Sequence, residues 1–343
     1  MADPTSSVKV VEVCKVALPP PPSPRSFASP SSFPLTFFDI RWLRFAPVQC
    51  LYLCEMPTSS ATQLFFDTVL APQLKTLLFN TLQHYLPLAR HLTWPQNSQK
   101  PVLSYITVFP NCGLSIGTSM HHTILYGKTS TLFAKSWAHI CKHGDQSNSL
   151  LLDHLKQFYD TRVIQDPAEL RAKSNLLEPR KAPPGSIRGT FQITTADIET
   201  PRQLLKAKLA EQKQQDIRLV HVSTFTLASL FGDNGLVVAV NANSEAIRSL
   251  EKGVLDGAEN WVSRVFAVSS EKMLMLAGSH RFGIYDTDFG WGRPRRTEVV
   301  SIDKTGAISL SDSKNGGGGV EIGLVLKKQY MDAFAALFAQ GLL

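Results

Sequence analysis

The chain has 343 residues, of which 43% are hydrophobic and 18% are charged. These proportions are typical of a globular protein and exclude an extensively disordered one, and the length suits about two domains. The formal net charge of +7 comes from 35 Lys and Arg against 28 Asp and Glu. Because this excess is spread along the chain, it suits an anionic small-molecule ligand as well as it suits solubility alone, and it is weak evidence for nucleic acid.

The five cysteines are odd in number and include no pair of the CxxC type. We therefore expect reduced thiols, as in a cytoplasmic protein. The first residues lack the basic-then-apolar layout of a signal peptide, and no apolar run reaches membrane-spanning length. These features predict a soluble, cytoplasmic protein.

The N-terminal part begins with a predicted strand, Val8 to Val16, followed by a proline- and serine-rich stretch. That stretch suits a surface loop better than a polyproline ligand for another protein. LTFFDIRWLRF and VQCLYLCEM then have strand character, and we assign Phe37, Phe38 and Trp42 to the core.

The clearest helix of the N-terminal half is PQLKTLLFNTLQHYLPLA, with Pro72 in its first turn. Apolar residues recur on one face of this predicted helix at Leu74, Leu77, Leu78, Leu82 and Tyr85.

A histidine pair follows a predicted strand and precedes a predicted helix. Alternating apolar residues in CGLSIGTSM indicate a half-buried strand, and TLFAKSWAHICKH has helical spacing. His121 and His122 therefore lie at a strand end, where a side chain is fixed and still faces a crevice. They are either ordinary polar residues or groups that can accept a proton near neutral pH. A metal site is not indicated, because no carboxylate or cysteine lies nearby at ligand spacing.

The C-terminal half begins after a polar, proline-containing stretch that indicates a domain boundary. SIRGTFQIT has strand character, and Thr194 can cap the helix that follows. Periodicity in NANSEAIRSLEKGVLDGAENWVSRVFAVSSEKMLM predicts one or two helices. TEVVSID, AISLSD and VEIGLVLK are predicted strands, the last two joined by a glycine-rich turn, and MDAFAALFAQGLL is a predicted helix.

The segment YDTDFGWGRPRR, Tyr285 to Arg296, is predicted to be a tightly bent loop. Two glycines flank Trp291, and Pro294 follows. Without further information it would be a packed turn held by an Asp–Arg pair.

The order of HHTILYGKTS and DFGWG along the chain resembles that in the plant BAHD acyltransferases. Further segments, such as FPLTFFDIRWLRF, FPNCGLSIGTSMHH and GGGGVEIGLVLKK, are similar to the branch that malonylates phenolic glucosides and anthocyanins. The resemblance implies an α/β chloramphenicol-acetyltransferase-like fold with two domains and mixed sheets. It places an N-terminal domain at residues 1–165, a crossover linker at 166–186 and a C-terminal domain at 187–343.

The resemblance also implies roles for individual residues. His122 matches the histidine of the His-x-x-x-Asp motif and would be the general base, and the indole of Trp291 would help to hold the oxyanion. Asp288 would be structural, pairing with an arginine and shaping a loop near the CoA channel together with Phe289, Gly290 and Gly292. No bound cofactor or metal is implied: the co-substrate would be malonyl-CoA or another acyl-CoA, and the protein a monomer that acts on a phenolic glycoside without nucleic acid or membrane.

The chain departs from the family pattern in three ways. Tyr126 replaces the motif aspartate, and a neutral tyrosine cannot form that residue's ion pair with arginine. The chain is also short at two seams, near Ile106 and near Leu230, and the second shortening removes the Tyr-Phe-Gly-Asn-Cys signature of the malonyl-using branch. The implied fold is therefore incomplete. The function is either acyl-CoA-dependent O-acyl transfer to a glucoside hydroxyl or binding of CoA or glycoside without turnover.

Overall fold

The computed structural model describes residues 9–14, 16, 42, 45–57, 62–85, 92–94, 97–99, 102–123, 127–144, 181–199, 244–253, 260, 264 and 275–341. Predictions for the proline-rich stretch, for Phe37 and Phe38, for linker residues 166–180 and for the seam near Leu230 fall outside these residues. The predicted first strand is wrong for the part described, since residues 9–14 have no regular structure and Val10, Val11 and Val13 are exposed.

The first sheet consists of the strands β1 (Val48–Glu55), β4 (Val102–Phe109), β5 (Gly113–Met120) and β8 (Arg296–Val299). These four strands are antiparallel and lie in the order β4-β5-β1-β8. A separate hairpin joins β2 (Leu92–Trp94) to β3 (Asn97–Gln99). The predicted half-buried alternation in β5 is wrong, because all eight residues are buried. An inner strand with both faces covered is apolar or small throughout.

Two helices pack beside this sheet. Helix α1 (Ala71–His84) follows a short helical turn (Gln63–Phe65) and a π turn (Phe66–Leu70), and helix α2 (Gly127–His143) follows the histidine pair. Both helices were predicted. Their apolar faces and the sheet form one core, whose members include Tyr52, Leu70, Leu74, Leu114, Ile116, Trp137 and Phe289.

The second sheet consists of the strands β6 (Ser186–Ile193), β7 (Leu276–Gly278), β9 (Ile308–Asp312) and β10 (Val320–Lys327). They lie in the order β6-β10-β9-β7; β7 pairs with β9 in parallel, and β10 pairs with β6 and β9 antiparallel. The turn at Gly316 to Gly318 has positive φ angles and joins β9 to β10 as predicted.

Helix α4 (Lys328–Gly341) packs on the second sheet through Met331, Phe334 and Phe338. The predicted cap at Thr194 is present: its backbone N–H and hydroxyl donate to the Asp197 carboxylate, and Asp197 N–H donates back to the hydroxyl. Helical residues 195–199 follow, and a further helical run covers 244–249 with a 3-10 turn at Leu250–Lys252.

The two sheets are joined through β8, which comes late in the chain and pairs with β1 of the first sheet. The predicted strand TEVVSID is shorter than expected, since helix α3 (Ile302–Thr305) begins soon after Val299. Arg188 of the second sheet donates to Glu298 on β8 at 2.6 Å, and both side chains are mostly buried. The result is an α/β fold with mixed sheets, as predicted.

The seam near Ile106 lies inside β4, where Ile106 is paired with Ile116 of β5. The chain crosses this position as a continuous strand, and β4 is hydrogen-bonded to β5 along its whole length. The shortening therefore leaves no break in this part of the first sheet.

Candidate active site

The two histidines at the end of β5 have different environments. His121 is 4% exposed, and its Nδ1 accepts a hydrogen bond from the Thr123 backbone N–H at 3.3 Å. This bond fixes the turn that leaves the strand. His122 is only half-buried, so it is the more accessible member of the pair.

Trp42 stacks on His122, with ring centroids 3.8 Å apart and an interplanar angle of 17°. The stack restricts rotation of the imidazole, and the negative face of an indole favours a positively charged ring above it. The sequence predicts that Trp42 is a core residue. It is half-buried instead and lies in the candidate site.

Helix α2 begins at Gly127, close to the segment that leads into the DFGWG loop. A Cβ atom at Gly127 would lie 3.0 Å from Cε2 of Phe282, so glycine permits this approach. Farther along the helix, Lys135 Nζ donates to the Phe282 carbonyl at 2.8 Å. Tyr126, the replaced motif position, lies among residues 124–126, outside the part described.

The DFGWG loop is organised by Asp288. Its Oδ1 accepts from the backbone N–H groups of Gly290 and Gly292 at 2.8 and 2.9 Å, and its Oδ2 accepts from Lys142 Nζ at 2.6 Å. Both glycines have positive φ, of 106° and 98°, a conformation that residues with a Cβ rarely adopt. Burial by itself raises the pKa of Asp288, but Lys142 and the two amides outweigh it, so the pKa lies below its ordinary value of 3.8.

The expected Asp–Arg pairing is found elsewhere in the loop. Asp288 pairs with a lysine of α2, whereas Arg293 pairs with Asp286. Asp286 is half exposed and belongs to the 3-10 turn Ile284–Asp286. Asp288 therefore binds the loop to helix α2, and its partner is Lys142 of that helix, whereas the prediction was an arginine.

The aromatic residues of the loop pack into the core. Phe289 is 2% exposed and makes edge-to-face contact with Trp137 at 5.2 Å and Tyr52 at 6.5 Å. Trp291 stacks on Phe289 at 6.2 Å and lines a cavity of about 240 Å³ between α1, the end of α2 and the loop.

The structure does not bring Trp291 to His122. Trp291 packs near Lys142 at the C-terminal end of α2, whereas His122 precedes the N-terminal end of that helix. A helix of 17 residues spans about 25 Å. An indole at that end cannot reach a carbonyl attacked at His122, so the predicted oxyanion role for Trp291 does not fit this geometry.

Burial favours the protonated form of the thiols nearest these elements. All five cysteines are free, and burial raises the pKa of Cys50 and Cys141 to about 12 and of Cys54 to about 11. A protonated thiol is a poor nucleophile, so these three do not suit an acyl-enzyme step. Among the described residues, no group of three or more His, Cys, Asp or Glu could hold a metal, and no helix could cross a bilayer.

Known proteins with similar sequences and folds share these features. A family model described as "Transferase family" matches residues 219–340. Phenolic glucoside malonyltransferase 1 of Arabidopsis thaliana is 28% identical, with 98% of each chain covered. Malonyl-CoA:anthocyanidin 5-O-glucoside-6''-O-malonyltransferase of the same plant is also 28% identical, covering 98% of this chain and 99% of the relative. The first alignment extends over 469 positions, more than the 343 residues available, so the chain lacks many positions of that relative.

Solved structures agree on the fold. Vinorine synthase superposes with a TM-score of 0.61 at 16% identity, over 93% of this chain and 94% of that one. Fusarium sporotrichioides TRI101, solved with coenzyme A and T-2, gives a TM-score of 0.58 at 11% identity, over 89% and 97% of the two chains. These matches show that the chain is similar in sequence to plant malonyltransferases and has the fold of vinorine synthase and TRI101.

Proposed function

We propose that this protein is an acyl-CoA-dependent O-acyltransferase that transfers a malonyl group from malonyl-CoA to a sugar hydroxyl of a phenolic or flavonoid glucoside. The observation that carries the proposal is the position of His122: it is half-buried at the end of β5, at the histidine position of the motif, and stacked on Trp42. We infer malonyl-CoA as the donor and a glucoside as the acceptor from the names of the two relatives that are 28% identical.

The proposed reaction is direct transfer. Neutral His122 removes the proton from the sugar hydroxyl, the oxygen attacks the thioester carbonyl, and the carbon–sulfur bond breaks as the ester forms. The CoA thiolate then takes the proton from the imidazolium. The protonated ring exists only after proton abstraction, so a contact with Trp42 that favours this form assists the chemical step. No residue is modified, and no metal is required.

Trp291 has no place in this mechanism. We assign it, with Asp288, Phe289, Gly290 and Gly292, to a structural loop that holds the C-terminal end of α2. We further propose that the protein acts as a monomer in the cytoplasm, in keeping with its five free cysteines.

The second candidate is a protein that binds CoA or a glycoside without turnover. Tyr126 favours it, because the neutral side chain cannot form the ion pair of the motif aspartate. The positions missing relative to the malonyltransferases favour it as well.

One experiment separates the two. Purified protein is melted with and without malonyl-CoA and free CoA, and thiol release with a phenolic glucoside is then measured on the same sample. Transfer predicts a cooperative melt raised by CoA and thiol release that is lost in His122→Ala and kept in His84→Ala, a histidine at the end of α1. The melt is repeated with the phenolic glucoside. A protein that CoA or the glucoside stabilises and that releases no thiol supports the binding function instead, and a protein that neither ligand stabilises and that releases no thiol contradicts both.

A further inference from the structure

The last two turns of α2 carry a second histidine pair, away from the candidate active site. His139 and His143 are four residues apart, and their ring centroids are 4.7 Å apart with an interplanar angle of 41°. Residues i and i+4 of a helix lie one above the other on the same face. His143 is exposed and His139 is half-buried, so the two rings form a pair at the surface.

This spacing suits a chelate. Imidazole nitrogens bind Zn²⁺ at about 2.0–2.1 Å, so two nitrogens on one ion are about 3 Å apart, within reach of rings at this separation. The helix backbone fixes the distance between the two residues, and only side-chain rotations are needed. Imidazole ligands suit Cu, Ni and Zn, whereas Mg and Ca select oxygen ligands.

The electrostatic surroundings of the pair suit a cation. Lys142 is the nearest cation in sequence, but its ammonium donates to Asp288 at 2.6 Å, which offsets its charge. The C-terminal end of a helix also carries partial negative charge, which attracts cations.

We propose that His139 and His143 form a two-ligand site for a divalent transition metal of the imidazole-preferring class, with water completing the coordination. No group of three or more ligands occurs among the described residues, so the site is an open chelate and differs from a closed structural one. It is separate from His122 and requires no acyltransferase activity. The bound ion would link two consecutive turns of α2 at the end where Lys142 holds the DFGWG loop.

The test is metal titration of the full chain, prepared without a polyhistidine tag. Calorimetry with Ni²⁺, and with Mg²⁺ as the negative control, compares wild type with His139→Ala, His143→Ala and His84→Ala. His84 is a matched control because it also lies in the last turn of a helix, and the positions four residues away are Asn80 and Leu88. Loss of an outer-shell partner costs about 10–100-fold in metal affinity, so loss of either ligand should weaken Ni²⁺ binding at least about tenfold.

Wild type and His84→Ala should bind Ni²⁺ alike, and neither should bind Mg²⁺. Equal Ni²⁺ affinity in all four proteins, or no Ni²⁺ binding by wild type, overturns the proposal. A second measurement avoids variants altogether: histidine modification by diethylpyrocarbonate, mapped by mass spectrometry on wild type. Ni²⁺ should protect His139 and His143 together, and protection confined to other histidines of the nine contradicts the site.

Discussion

The indole of Trp42 lies almost parallel to the imidazole of His122, with 3.8 Å between ring centroids. The proposed base, His122, is therefore stacked on an aromatic ring from a distant part of the chain. Cation–π contacts contribute about 0.5–2 kcal/mol, and one between these rings would act only once the imidazole is protonated. Trp42→Leu should therefore lower kcat about 2- to 30-fold with little change in KM, whereas Trp42→Phe should retain more of the rate. Steady-state kinetics of both variants measures the change in kcat. Equal kcat values for Trp42→Leu and Trp42→Phe would exclude a contribution of the aromatic face to the reaction.

His122→Ala should lower kcat by about 10²- to 10⁴-fold, the usual contribution of a general base. The variant should keep the wild-type melting temperature, because His122 is only half-buried. Thiol release and a thermal melt measure the two quantities. A variant that folds and turns over at the wild-type rate would show that another group is the base.

Tyr126→Asp should raise both stability and turnover if the motif position keeps its family role. A carboxylate there could pair with an arginine, which tyrosine cannot do at neutral pH. Tyr126→Phe is the control, since it changes the hydroxyl without adding charge. A gain of 1 kcal/mol would raise the melting temperature by about 1–2 °C for a chain of this length. Equal changes in melting temperature and turnover in Tyr126→Asp and Tyr126→Phe would contradict the ion-pair role.

Asp288→Asn should destabilise the protein by about 1–3 kcal/mol, because it removes a charged hydrogen-bond acceptor of Lys142, Gly290 and Gly292. Asp286→Asn, on a half-exposed residue of the same loop, should cost at most about 1 kcal/mol. Urea unfolding at pH 7 compares the two, and an equal loss in both variants would argue against Asp288 as the residue that holds the loop.

The same carboxylate predicts a pH dependence. Its pKa in the folded protein is below the ordinary 3.8. Its contribution to the free energy of unfolding is therefore present above pH 3.8 and is lost as pH falls through the lower, folded-state pKa. The stability difference between wild type and Asp288→Asn should shrink across that acidic range. Urea unfolding of both proteins at a series of decreasing pH values measures this difference in free energy of unfolding. A difference that stays constant with pH would show that ionisation of Asp288 does not contribute to stability.

Gly113→Ala should destabilise the protein by about 3 kcal/mol or more. A Cβ atom at this position would lie 2.1 Å from the Cys54 carbonyl oxygen, and φ is 148°. Gly117→Ala on the same strand is the control, because its nearest contact would be an ordinary 3.4 Å. Urea midpoints compare the two variants. Similar midpoints would mean that the β1–β5 pair can shift at little cost.

The elements predicted correctly are those that local patterns determine. Helices α1 and α2, the Thr194 cap and the turn from β9 to β10 all depend on residues within a few positions of one another. The motif position of His122 came from resemblance, and the strand end it occupies came from local pattern.

The elements not predicted depend on contacts between distant residues. Asp288 accepts a hydrogen bond from Lys142, which is 146 positions away in the sequence. No rule based on sequence spacing could have predicted this lysine as the partner instead of an arginine within the loop. Trp42 has the composition of a core residue, and only its contact with His122 places it at the site. The complete burial of β5 likewise follows from what covers its two faces.

The pairing of β8 with β1 affects how the protein can be made. The first sheet acquires its fourth strand only from residues Arg296–Val299, so the ribosome must synthesise most of the chain before that sheet can be completed. Until then the free edge of β1 is open to pairing with other strands. An interrupted translation product ending before this point would expose that edge permanently, and quality control would recognise it as an aggregation-prone fragment.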